Sequence, residues 1–332
     1  MEVRKLQTTK AGTFIVTIPK EWVSKLGLKK GGLVYMDLEE GDIVVSPVSN
    51  TRVPPQSRPL QLDGSLDQKM LELSITASYI QGHDITEVIS KEKILPEQKR
   101  WIREAVENLV GVEIAEEYSD KVVLQNLVDP LKFDLDRSME KFSATSLAVL
   151  ADAIKALATQ DRMLAQDAYE RGYQSTRLYR LLMRLAIQVV RSRKLRDEMK
   201  VHNIEELVGR VMAIKELGRI AYYAMRVAQH VREIEKRPDA VTVATIEKMA
   251  KETSQMQERA FEAFMKKDLG LASSVIDRMD EVRKLYEAVY LSSLRKEGAK
   301  ESLPILLVVR AIRGMAGYTV ALADDAVLAV FG

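Results

Sequence analysis

The sequence predicts a multidomain, mainly α protein: a small β-rich head, a small α+β module, and a helical body of two tandem three-helix bundles. Three observations predict it. Apolar and polar residues alternate through much of the first fifty positions, the period of a half-buried strand. From Phe133 onward apolar residues recur at helical spacing, with few breaks. In that helical half a set of residues also repeats at constant offset, which marks an internal duplication.

At 332 residues the chain is about twice a typical domain, so several cores are expected. Fifty Lys and Arg against 48 Asp and Glu leave a net charge of +2. Contact with a polyanion must therefore come from local segregation of charge, not from a bulk positive field. The absence of cysteine excludes disulfides, thiolate metal sites and a cysteine nucleophile. An apolar leader is not seen, nor a charge-free stretch of bilayer length, so a cytoplasmic protein without membrane insertion is expected.

In residues 1–50, Leu6, Phe14, Val16 and Ile18, then Val34, Met36 and Leu38, alternate with polar partners, and Asp42 to Ser46 follow a Glu-Gly-Asp turn. Between them Pro19 to Gly27 reads as a short helix, proline at its first turn and glycine past its end. Arg4, Lys5, Lys10, Lys20, Lys25, Lys29 and Lys30 crowd the opening, whereas Asp37, Glu39, Glu40 and Asp42 gather at the far hairpin. So small a unit has little to bury, and pairing with a second copy is expected.

Val3-Arg-Lys, the Ile-Val-Thr-Ile-Pro-Lys-Glu strand exit and the Leu-Gly-Leu-Lys-Lys-Gly-Gly stretch resemble the AbrB/SpoVT swapped-hairpin DNA-binding family. The resemblance implies a homodimer in which two chains interleave hairpins into one barrel-like unit, with a basic face gripping DNA. It points to Arg4, Lys5, Lys10, Lys20, Lys25 and Lys29 as the DNA-binding residues. Where family members often carry an arginine pair on the short helix, this chain has Val23-Ser24. Lysines at Lys20 and Lys25 are point charges without the fork that reads guanine, so low sequence selectivity is expected.

Residues 51–66, with Pro54, Pro55 and Pro59, read as a linker. Residues 67–130 read as the α+β module: helix over 67–80, strand over 84–89, helix over 96–109 and a hairpin turned at Ser119-Asp120. Beyond it, helices are expected over about 137–160, 162–196, 203–235, 239–267, 269–297 and 302–330. Asp161, Leu164, Ala165, Arg171, Leu178 and Tyr179 recur without a gap as Asp268, Leu271, Ala272, Arg278, Leu285 and Tyr286. With a shorter connector, Arg219 to Ala224 matches Ala321 to Ala326. Two copies of one three-helix unit, 137–236 and 238–332, follow.

That duplicated unit, with Leu-Tyr on its second helix and a run such as Arg219-Ile-Ala-Tyr-Tyr-Ala on its third, resembles the PhoU family of phosphate-uptake regulators. A swapped-hairpin head on such a body is an arrangement associated with archaeal proteins. Two functions follow from the pair of resemblances. One is a DNA-binding regulator of phosphate homeostasis whose body senses phosphate status. The other is an adaptor that inhibits a phosphate ABC transporter or its signalling kinase, with the head serving mainly to dimerise. PhoU relatives carry acidic residues four apart on the second and third helices that chelate metal clusters. The matching positions here are Gly172, Thr176, Gly218 and Tyr222, then Met279, Arg283, Val320 and Asp324. Only Asp324 is acidic, with Asp277, Asp280 and Asp325 nearby, so no metal or other cofactor is expected.

Catalysis is not expected either. There is no Gly-x-Ser-x-Gly, P-loop or Gly-x-Gly-x-x-Gly motif. His83, His202 and His230 belong to no metal-binding pair and read as surface or interface residues. Arg191 to Arg196 lie where a helix ends and read as charges that complement its dipole. Tyr169, Tyr173, Tyr179, Tyr222 and Tyr223 read as helical core.

Overall fold

The computed structural model describes residues 2–39, 41–48, 57–63, 66–201, 203–294 and 299–331. The chain divides into two compact units, Met1–Pro54 and Pro55–Gly332. The described residues of the first form four strands and one short helix: β1 (Gln7–Thr8), β2 (Phe14–Ile15), α1 (Lys20–Lys25), β3 (Val34–Glu39) and β4 (Asp42–Pro47). β1 and β2 pair antiparallel, as do β3 and β4, giving two separate ribbons. Gly12 and Gly41 turn the ribbons at φ 85° and 94°, a region that side chains disfavour.

The second unit opens with a four-stranded sheet. Its strands are β5 (Ser57–Leu62), β6 (Ile85–Ser90), β7 (Val112–Glu117) and β8 (Lys121–Asn126), in the order β5-β6-β8-β7. β5 runs parallel to β6, and the other pairs are antiparallel. Helices α2 (Gln68–Ile80) and α3 (Pro96–Glu107) close a core of Leu62, Leu71, Ile75, Val88, Ile102 and Leu124. Residues 57–62 are thus not linker, as the prolines had suggested. Pro59 is accommodated because β5 is an edge strand, where a missing N–H need cost no ladder bond.

The helical body comprises α4 (Leu135–Thr159), α5 (Arg162–Arg191), the short α6 (Arg193–Glu198), α7 (Ile204–Arg232), α8 (Ala240–Lys266), α9 (Leu269–Leu294) and α10 (Ala299–Phe331). The segment expected as one helix over 162–196 breaks at Ser192, whose extended backbone ends α5 and whose hydroxyl caps α6. The repeated aspartates do the same job twice. Asp161 and Asp268 each accept a hydrogen bond at 3.0 Å from the amide three residues on, Leu164 and Leu271. Before them Gln160 and Lys267 take left-handed conformations, φ 55° and 54°, and reverse the chain.

Helices α4, α5 and α7 pack together, as do α8, α9 and α10, and the two groups share one continuous core. The α7–α10 contact is the most extensive between any two elements. Along it Tyr223 stacks on Tyr318, centroids 5.7 Å apart, with Gly314 beneath the Tyr223 ring. Two helices do reach the length and apolarity of a bilayer span, Leu135–Thr159 and, within α10, Ser302–Val327, but about half of each apolar window is buried in the bundle.

The body grips the sheet module through arginines on one helix. Arg184 of α5 is fully buried and donates to the carbonyls of Tyr79 (2.7 Å) and His83 (2.8 Å) and to Asp84 (3.1 Å), its guanidinium 5.0 Å from the Tyr79 ring. One to two turns earlier, Arg180 reaches the Asn108 carbonyl and Glu72, and Arg177 the Leu109 carbonyl. Arg191 reaches the Gln81 carbonyl. These are carbonyls left over at the ends of α2 and α3, where a cation also meets the negative pole of the helix.

Candidate nucleic-acid interface

The head places its basic residues on four segments. Arg4 and Lys5 lie in the extended stretch before β1, Lys10 in the β1–β2 turn, Lys20 and Lys25 at the two ends of α1, and Lys29 in the turn before β3. All six are exposed. Arg4 is paired with Glu2, whereas Lys5, Lys10, Lys20, Lys25 and Lys29 form no ion pair with the described residues. Lys20 and Lys25, five positions apart, point about 140° away from each other around the α1 axis. A six-residue helix with its two lysines so divided does not present both charges on one face.

The same unit leaves its apolar residues uncovered. No residue of β1, β2 or α1 is buried, and Phe14, Trp22, Leu33, Met36, Leu38 and Ile43 all stand exposed, Leu38 at 78%. An apolar set of this extent is ordinarily covered by a partner.

The positions to which the PhoU resemblance assigns metal ligands do not fit a metal. A Cβ on Gly172 would lie 2.8 Å from the Met225 Cβ, and one on Gly218 2.6 Å from the Tyr179 ring, so a carboxylate has no room at either place. In the second repeat Met279 packs against the core and Arg283 pairs with Asp280 at 2.7 Å. Asp277, Asp280 and Asp324 are exposed while Asp325 is buried. Among the described residues no three His, Asp or Glu side chains gather in a metal-holding group. His230 is buried, not at the surface, its Nδ1 2.9 Å from Glu233. His83 is half-buried, and His202 lies outside the described residues.

What the body does contain is an apolar groove of about 610 Å³ between the start of α7 and the end of α8. Ile204, Val208, Met212, Phe264 and Met265 supply its apolar surface, and Asp136, Glu206 and Arg210 one polar edge. There Arg210 holds Asp136 through two bonds, 2.9 and 3.1 Å, and Glu206 at 3.0 Å. Asp325 of α10 also lines it, 6% exposed, and its Oδ2 has no hydrogen-bond partner among the described residues. Burial, then the neighbouring Glu216 and Asp324, push the Asp325 carboxyl up to about 7. The Glu216 carboxyl is likewise raised by partial burial, and its Oε2 has no hydrogen-bond partner among the described residues. Neither the α5 arginines nor this carboxyl pair stands out in the sequence, since both are ordinary charges on helices until the packing is known.

Two three-helix units on a shared core, in a chain that also carries a small basic β unit, define a helical-bundle protein of the PhoU type. The PhoU domain model matches residues 139–231 and 246–326, and the chain belongs to the PhoU family. Residues 7–52 match the model of MazE, a bacterial antitoxin of antidote–toxin recognition. Among solved structures, PhoU from Pseudomonas aeruginosa is 17% identical with a TM-score of 0.53, the match covering 60% of this chain and 97% of that one. The phosphate transport system regulatory protein PhoU from Streptococcus pneumoniae is 14% identical with a TM-score of 0.51, covering 60% and 94%. No curated protein matches the chain.

Proposed function

We propose that the protein is a cytoplasmic, non-enzymatic regulator of phosphate uptake that binds DNA through a dimeric head and receives its signal through the helical body. The observation that carries this reading is the segregation of Lys5, Lys10, Lys20, Lys25 and Lys29, exposed and without ion pairs among the described residues, in a unit whose apolar residues are uncovered. The family membership supports the pathway, and the MazE-type match is compatible with a DNA-binding dimer. Five lysines and Arg4 in each of two copies can neutralise several phosphates at once, so affinity should fall steeply with salt.

The test is a titration of the full chain against mixed-sequence duplexes over a range of salt concentrations. Each of Lys10→Gln, Lys20→Gln, Lys25→Gln and Lys29→Gln is expected to weaken binding about equally on all sequences and to lower the salt slope by about 1 per site. A chain that ignores DNA at low salt, or binds it with no salt dependence, sinks the proposal. A second reading, an adaptor for a phosphate transporter or its kinase, is favoured by the exposed Ile204, Val208, Met212 and Met265 on the body. It fails if the phosphate-replete cell yields neither partner in complex with the chain.

A further inference from the structure

The α7–α8 groove belongs to neither the DNA contact nor the family's metal positions, and its chemistry is specific. Four carboxylates, Asp136, Glu205, Glu206 and Asp325, line it against two cations, Arg210 and Lys267. Arg210 is already committed to Asp136 and Glu206. That leaves Glu205 at the mouth and Asp325 within. Asp325 is more than nine-tenths buried, carries an oxygen with no partner among the described residues, and feels the negative charge of a half-buried neighbour, Glu216, whose Oε2 also has no partner among them. A buried carboxylate that finds no donor in its own fold costs stability, and two side by side cost more. The remaining wall is aliphatic and aromatic: Val208 and Met212 on α7, Phe264 and Met265 on α8. Methionines line the opening, and their unbranched chains adapt to the shape of what they meet.

We propose that this groove binds a small organic cation with an aliphatic body, an alkylammonium or alkylguanidinium, whose charged head meets Asp325 and whose chain lies on Val208, Met212, Phe264 and Met265. The volume suits a small ligand, and an apolar wall with one convergent charged group is the usual construction of such a site. The head group brings the donors that Asp325 lacks. An anion would meet surplus negative charge, and a neutral alcohol would leave the carboxyl pair uncompensated. The assignment rests on the reading of the body as the receiving half of a regulator, and it names the chemical class of what is received.

The experiment is calorimetric titration of the full chain with n-hexylammonium, n-hexylguanidinium and 1-hexanol, repeated on Asp325→Asn. Both cations should bind saturably at one site, at least tenfold more tightly than the alcohol, a difference of about 1.4 kcal/mol. In Asp325→Asn they should fall to the level of the alcohol, whose own binding stays unchanged. Because that variant removes an unpartnered charge, loss of binding cannot be ascribed to a failure to fold, and a urea titration beside it verifies this. Equal binding of amine and alcohol, full affinity in Asp325→Asn, or no saturable binding of either cation overturns the proposal. So does a short leucine-flanked lysine peptide that binds more than about tenfold better than the free amine, since the groove would then belong to a protein partner. DNA affinity measured in the same samples separates the two readings: amine binding without any change in DNA affinity supports the site and counts only against its part in regulation.

Discussion

At the scale of single residues, two buried charges decide opposite things. Arg184 is held by three kinds of partner, main-chain carbonyls, a carboxylate and the Tyr79 ring, and its burial pulls the guanidinium pKa down without freeing it from them. Arg184→Met would strand those carbonyls and is expected to cost about 3–5 kcal/mol, read as a lower urea midpoint. Asp325 behaves the other way. Its carboxyl titrates near pH 7 in the folded chain against an ordinary value of 3.8. Between those values the folded chain keeps a proton the unfolded chain has lost, so stability declines as pH rises from about 4 to about 7 and is flat above. Asp325→Asn should therefore raise the unfolding free energy at pH 8, by a few kcal/mol at most (about 1.4 kcal/mol per pH unit between the two values), and leave it nearly unchanged at pH 4, as read by urea titration. Neither role was legible from the sequence. An arginine or aspartate on an amphipathic helix reads as solvated, and only the approach of a second element, α2 in one case and α7 in the other, takes the water away.

At the scale of elements, the helices were legible because period, caps and breaks agreed, as with Asp161 and Asp268 opening α5 and α9. The hairpin β7–β8 was legible from alternation around Ser119-Asp120. β5 was not, because three prolines outweigh a short alternating stretch, and whether one of them can sit in an edge strand depends on neighbours distant in sequence. Pro304 falls inside α10, near its start. The glycines of the first repeat carry an element-scale consequence. Gly172 and Gly218 allow α5 and α7 to meet with Met225 and Tyr179 filling the seam. Restoring an acid at either place would force the helices apart: Gly218→Asp should destabilise by about 1–3 kcal/mol without creating metal affinity, checked by thermal unfolding with and without added iron or zinc.

At the scale of the whole molecule, the head supplies little core of its own, and its exposed apolar residues are the expected seat of dimerisation. Sedimentation of the full chain should show a concentration-dependent dimer, and Leu38→Asp should shift it towards monomer. The basic residues of the head were all legible as candidates, because charge segregation is a property of sequence; their division around α1 was not, because it depends on where a six-residue helix starts.

The seam between α7 and α10 has its own history to tell. Under the repeat correspondence that matches Arg219 with Ala321, Tyr223 stands for Asp325 and Tyr318 for Glu216. The stacked Tyr223–Tyr318 pair and the neighbouring Glu216 and Asp325 carboxyls therefore hold equivalent places in the two repeats. Such reciprocity is the signature of a symmetric dimer. Within this one chain the two three-helix units thus meet as two subunits of such a dimer would, each offering the other the matching positions of its third helix. The two places are filled by different chemistry: one is an aromatic clasp, the other a pair of carboxyls that repel each other's charge.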